Sequence, residues 1–192
     1  MERAEICAQI FRALMMMQRL LTLILLAALT PSAWAIDKLQ VDSLSRVADL
    51  AKQRNVPILL IVSQHHCPYC DLLKEEIIAP MYSSGDYEQR VVMAEIMLDS
   101  DTEIPDFQGN LVSPAQIADS YRVWVTPTLL FVDHTGVEVH RRMLGVNTID
   151  YYGYYLDESL AAALKAVRNN DRSYSPVDRD IHGDAPNRDQ LL

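Results

Sequence analysis

Hydrophobic positions change period along this chain, and the changes separate helices from strands. Leu44, Val47, Ala48 and Ala51 recur at helical spacing, with Asp42 or Ser43 placed to cap that helix. Asn55 and Pro57 end it. Residues 58–62 (Ile58, Leu59, Leu60, Ile61, Val62) form an unbroken, largely β-branched apolar run, the pattern of a strand buried on both faces. A second helix starts at Cys67 and runs through Leu72, Leu73, Glu76 and Ile77 to Pro80. Residues 91–98 give another buried strand. Ser113-Pro114 marks a helix start with proline at the first helical position, and Ile117, Ala118 and Tyr121 form its apolar side. Residues 129–132 are a third core strand. The Asp133-His134-Thr135-Gly136 stretch is a hairpin turn into a strand over 137–143. A last helix over 148–168 carries an apolar stripe of Leu156, Leu160, Ala163, Leu164 and Val167. From Asn169 the chain is polar, Pro-containing and aperiodic, and is expected to be disordered. No internal repeat interrupts this plan.

The order α, β, α, β, α, β, β, α predicts an α/β fold, a mixed central β-sheet with helices on both faces. Upstream of it the pattern is different. Arg19 precedes a short apolar run over 20–29, Pro31 breaks it, and Ala33-Trp34-Ala35 offers the small-x-small pattern of signal peptidase sites. The run falls short of the ~20 apolar residues that span a bilayer. A signal peptide over 1–35, cleaved after Ala35, is therefore expected; an uncleaved anchor is the alternative. Met15, Met16 and Met17 are possible starts, so residues before Met15 are a possible mis-called extension. The expected location is the periplasm, where thiols tend to oxidise.

Removing residues 1–35 takes away three arginines and two glutamates. The remaining 157 residues carry 14 basic and 24 acidic side chains, a net charge of −10. That balance argues against nucleic acid and anionic membrane surfaces as partners. It also removes Cys7, one of three cysteines, and leaves Cys67-Pro68-Tyr69-Cys70 as the sole thiol pair. A single Cys-x-x-Cys pair builds no disulfide framework; it is a redox dithiol or part of a metal clip. A closed zinc clip needs two further ligands, and haem attachment is excluded because Asp71, not His, follows Cys70.

The dithiol after a buried strand, the Val125-Thr126-Pro127-Thr128-Leu129-Leu130-Phe131 segment and Gly145 after the final strand together resemble the thioredoxin superfamily over about residues 40–168. With the export signal and Cys-Pro-Tyr-Cys, the similarity is to periplasmic thioredoxins of the SoxW type. The resemblance implies a thioredoxin-like domain over 36–168; the tail over 169–192, expected from its composition to be disordered, lies beyond it. It implies a cis Thr126–Pro127 bond facing the dithiol, with the Thr126 backbone free to pair with an extended substrate segment; a trans proline opening a strand is the alternative.

Local chemistry assigns the roles. Cys67, at a helix N-terminus, faces free N–H groups and the positive end of the helix dipole, which stabilise a thiolate. It is the expected nucleophile. Cys70, one turn deeper, is the resolving thiol, and together they form the redox disulfide. Tyr69 shapes the rim. His66 stands where cytosolic thioredoxins carry Trp; it is either a thiolate-stabilising, substrate-side group or, like His65, a solvated loop residue. Ile61 occupies the place of the family's buried Asp, six residues before the first cysteine. Glu95 is the replacement candidate: an unpartnered buried carboxylate with a raised pKa that accepts the Cys70 proton, or else a glutamate at an exposed strand end.

The expected function is a protein-disulfide reductase needing no metal or organic cofactor. It would act as a monomer on exported proteins with disulfides and draw electrons from a membrane donor. A disulfide-forming oxidase would need a large helical insertion, for which residues 98–126 are too few. A dimeric isomerase would need an extra N-terminal domain, and a glutaredoxin a Gly-Gly pair after the final strand. The alternative of another class is a soft-metal (copper) carrier using His66, Cys67 and Cys70.

Overall fold

The computed structural model describes Gln18 and residues 39–183. The expected signal peptide over 1–35, with its expected cleavage point after Ala35, falls, Gln18 apart, outside the described residues.

The first helix, α1 (Leu44–Arg54), is capped by Ser43, whose Oγ accepts the Arg46 N–H at 3.3 Å. It ends at Asn55, which takes the left-handed conformation (φ 53°). Strand β1 (Ile58–Ser63) is buried along its whole length, as an apolar run without alternation requires. α2 (Pro68–Leu73) follows the dithiol. The sequence pattern ends this helix at Pro80, but the structure carries it further. A π-helical turn (Lys74–Ile78) leads into α3 (Ala79–Ser84), with Pro80 in the first turn of α3. The Ala79 N–H reaches Lys74 O, five residues back, and this widened turn makes room for a ring that would otherwise strike the carbonyl four residues before it.

Strand β2 (Val92–Met97) is followed by a small hairpin, β3 (Ile104–Pro105) with β4 (Leu111–Val112), that the hydrophobic pattern does not reveal. α4 (Pro114–Ser120) opens with a reciprocal capping box between Ser113 and Gln116. β5 (Thr128–Val132) and β6 (Glu138–Leu144) form the expected hairpin, and α5 (Ile149–Arg168) is the long last helix of the sequence plan. The four-stranded sheet runs β2-β1-β5-β6, with β1 and β2 parallel and the other neighbours antiparallel. Gln40 bridges to Glu95 at the outer edge of β2.

Alternation along β1 divides the core. Ile58, Leu60 and Val62 pack with Leu44, Val47 and Ala51 of α1 and Ile117 of α4. Leu59 and Ile61 pack on the other face with Leu73, Ile78 and the α5 residues Tyr152, Leu156 and Leu160. Helices thus cover both faces, as the sequence order predicts. The segment after Asn169, expected to be disordered, departs from that expectation within the described residues: a short helix, α6 (Asp178–His182), buries Ile181 completely. One buried isoleucine in a polar segment has no period to betray it.

Candidate active site

β1 delivers the chain to the dithiol through residues 64–67. His66 takes a positive φ of 56° there. Cys67 is the N-cap of α2: its Sγ accepts the Cys70 N–H at 3.2 Å, while its carbonyl accepts from Cys70 N at 2.9 Å and Asp71 N at 3.1 Å. Pro68 at the first helical position has no N–H to leave unpaired. Cys67 and Cys70 form a disulfide with their Cα atoms 5.2 Å apart. Cys67 is 6% exposed and Cys70 1%, so the first cysteine is the outer of the two.

Thr126 and Pro127 lie just before β5, the strand paired antiparallel with β1. The bond between them is cis, and Thr126 Oγ1 lies 3.6 Å from Cys67 Sγ. Gly145, in the left-handed region at φ 61°, donates its N–H to Pro127 O at 2.8 Å and ties the end of β6 to this loop. Tyr69, 59% exposed, stands on the rim.

His65 is not merely solvated. Its backbone N–H sits 3.1 and 3.0 Å from the two carboxylate oxygens of Asp99, and its ring Nδ1 is 3.0 Å from Asp99 Oδ1. Asp99 follows β2, so this clamp fixes the loop before Cys67 to the neighbouring strand's exit. Desolvation is the largest single influence on Asp99 and raises its pKa, but the hydrogen bonds from His65 and from Asp99's own backbone N–H act the other way, and the carboxyl ends below its ordinary value. His66 is exposed and outside this clamp.

The register of β1 and β2 sets Glu95 directly opposite Ile61, so the acid stands one strand away from the position Ile61 occupies. Glu95 is 3% exposed, which removes the reading of an exposed strand end. Nor is it unpartnered: Lys74 Nζ lies 3.2 Å from Glu95 Oε1. Lys74 comes from the π-turn, four residues after Cys70, and also lies 3.9 Å from Asp71. The pairing was hidden in the sequence because nothing there says which face of the helix meets which strand. Among the described residues no group of three or more His, Cys, Asp or Glu side chains is placed to hold a metal ion. No described helix is long and apolar enough to cross a membrane.

Residues 44–168 match the family model described as a thioredoxin-like domain. The chain belongs to that thioredoxin-like family. Members are generally thiol–disulfide oxidoreductases, and this chain has the thioredoxin fold with its Cys-x-x-Cys pair at disulfide distance. Similar solved structures include thioredoxin O2 from Arabidopsis thaliana in the oxidised state (17% identity, 62% of this chain and 91% of that one, TM-score 0.44). Thioredoxin NaTrxh from Nicotiana alata is similar at 21% identity, covering 63% of this chain and 90% of that one, with TM-score 0.44. A DsbH oxidoreductase is similar at 20% identity, covering 66% and 85%, also at 0.44. Among curated proteins no match was found.

Proposed function

We propose that this protein is a periplasmic, SoxW-like reductase of disulfides in other exported proteins. The observation that carries the reading is the approach of Cys67 Sγ to Thr126 Oγ1, beside Pro127 and at the start of α2. It combines a thiolate-stabilising helix end with a backbone segment suited to holding an extended peptide. In the reduced protein the Cys67 thiolate attacks one sulfur of a substrate disulfide. A mixed disulfide forms and the other substrate sulfur leaves as thiolate. Cys70, deprotonated, then attacks Cys67 Sγ, closing the protein's disulfide and releasing the second substrate thiol. Two electrons pass to the substrate; a membrane dithiol donor returns them. Glu95 is the acceptor proposed for the Cys70 proton, held in place by Lys74.

The test is turnover of insulin disulfides with dithiothreitol as donor, together with the reduction potential against glutathione. A potential near that of thioredoxin supports the reductase direction, and a far more oxidising one supports an oxidase. Cys67→Ser should abolish turnover, while Cys70→Ser should accumulate mixed disulfides. Stoichiometric Cu(I) binding without insulin turnover would favour a metal carrier instead.

A further inference from the structure

Residues 171–183 are fastened back onto the fold. Arg172 Nη2 pairs with Asp133 Oδ2 at 2.7 Å, and Asp180 Oδ1 with Arg141 Nε at 2.9 Å. The Tyr174 hydroxyl donates to Asp180 Oδ2 at 3.2 Å, and Ile181 is fully buried. The last fastening is to Trp124: its indole N–H donates to the Ile181 carbonyl, and the His182 ring lies 6.1 Å from the indole, tilted by 31°.

Trp124 stands two residues before Thr126, whose hydroxyl touches the sulfur of Cys67. Its polar edge is engaged by the protein's own backbone, yet the residue is 56% exposed. An aromatic ring fixed at one edge and still more than half exposed offers apolar contact with little further loss of conformational freedom. Neither the sequence pattern nor the family's dithiol chemistry assigns this residue a task. We infer that Trp124, positioned by the 171–183 strap, is a specificity-determining contact for the polypeptide that flanks a substrate disulfide, favouring an apolar side chain next to the substrate cysteine. Ile181 and Asp180 are positioning residues; they act through the indole. The inference rests on the oxidoreductase reading above.

Trp34 and Trp124 are the chain's two tryptophans, so in a full-length W34F background the emission reports Trp124 alone. Three full-length proteins are compared on insulin and on hydroxyethyl disulfide, a substrate with no flanking polypeptide. In W124A the KM for insulin should rise roughly tenfold, the scale of losing one aromatic contact. Its turnover of hydroxyethyl disulfide should stay within about twofold and its reduction potential unchanged, since the thiols are untouched. I181D places a charge in a fully buried position and should release the strap. It should red-shift the indole emission and raise the insulin KM in the same direction. W124A keeps the strap residues and decides the matter if I181D fails to fold. An unchanged insulin KM in W124A, equal losses on both substrates, or faster insulin turnover in I181D each overturn the inference. A parent protein inert toward both substrates overturns the oxidoreductase reading and this inference with it.

Discussion

A glutamate in the middle of an apolar strand must be neutralised or paired, and at Glu95 the structure chooses pairing. The partner changes what mutation should do. An isolated buried carboxylate would make Glu95→Gln neutral or stabilising; with Lys74 at 3.2 Å, the same change strands an ammonium group. Removing one partner of a fully buried pair costs ~3–5 kcal/mol. Lys74 keeps 15% of its side chain exposed and has Asp71 within reach, so about 2 kcal/mol is expected. Lys74→Met in the Glu95→Gln background should recover most of that loss, and a double-mutant cycle in urea measures it. On the proposed catalytic role, Glu95→Gln also slows the resolving step by ~10²-fold while attack by Cys67 stays near normal. A resolving rate unchanged across pH 6–9 would leave water as the acceptor.

At the scale of elements, what was legible in the sequence is what a single segment decides for itself. Burial of β1 and β5 follows from their apolar runs, the start of α4 from Ser113-Pro114, and the end of α1 from Asn55. The cysteine pair declared its place because a strand-to-helix junction is local. Features that depend on what meets what were not legible: the Lys74–Glu95 pairing, the clamp of Asp99 on His65 and the docking of Ile181. The hairpin of β3 and β4 has strands too short to show alternation. The β5–β6 turn shows the two kinds of constraint together. Asp133 Oδ1 accepts from Thr135 N at 2.8 Å and from Thr135 Oγ1 at 2.6 Å, which is local chemistry. Gly136 follows at φ 86°, and a Cβ there would lie 2.6 Å from Phe107 Cδ2, which is tertiary. Gly136→Ala should therefore destabilise by about 2 kcal/mol, from the left-handed backbone plus displacement of Phe107. A matched midpoint in chemical denaturation would refute this.

For the whole molecule, buried titratable groups set how stability answers to pH. Burial, and then the charge of Arg141, pushes the His140 pKa below its ordinary 6.5. Between the folded value and 6.5 the unfolded chain binds more protons than the native one, so stability falls as pH drops through 6.5. Tyr121 and Tyr152 act at the other limit. Burial raises both, joined at Tyr121 by the charges of Glu138 and Asp133. Above the ordinary value of 10.0 the unfolded chain loses these protons while the native one keeps them, and stability falls as pH rises. Denaturation midpoints across pH 5–11 should trace a plateau between these limbs. His140→Phe should flatten the acid limb, and Tyr152→Phe should make the alkaline one shallower, since Tyr121 and Tyr174, raised by burial too, still contribute.

The contact between Cys67 and Thr126 spans 59 residues of chain, whereas the two cysteines are three apart. The halves of the site therefore come into being at different times. A dithiol three residues apart can close on a chain with no fold at all. The Thr126 side requires β5 to find β1, a long-range closure that is slow in proportion to the entropy it removes. During refolding the thiols should first react with an alkylating agent at similar rates. The faster reaction of Cys67 should emerge only with the slow phase that docks β5. Pulsed alkylation followed by mass spectrometry would time that moment, and the acquisition of selectivity, rather than of reactivity, would mark the end of folding.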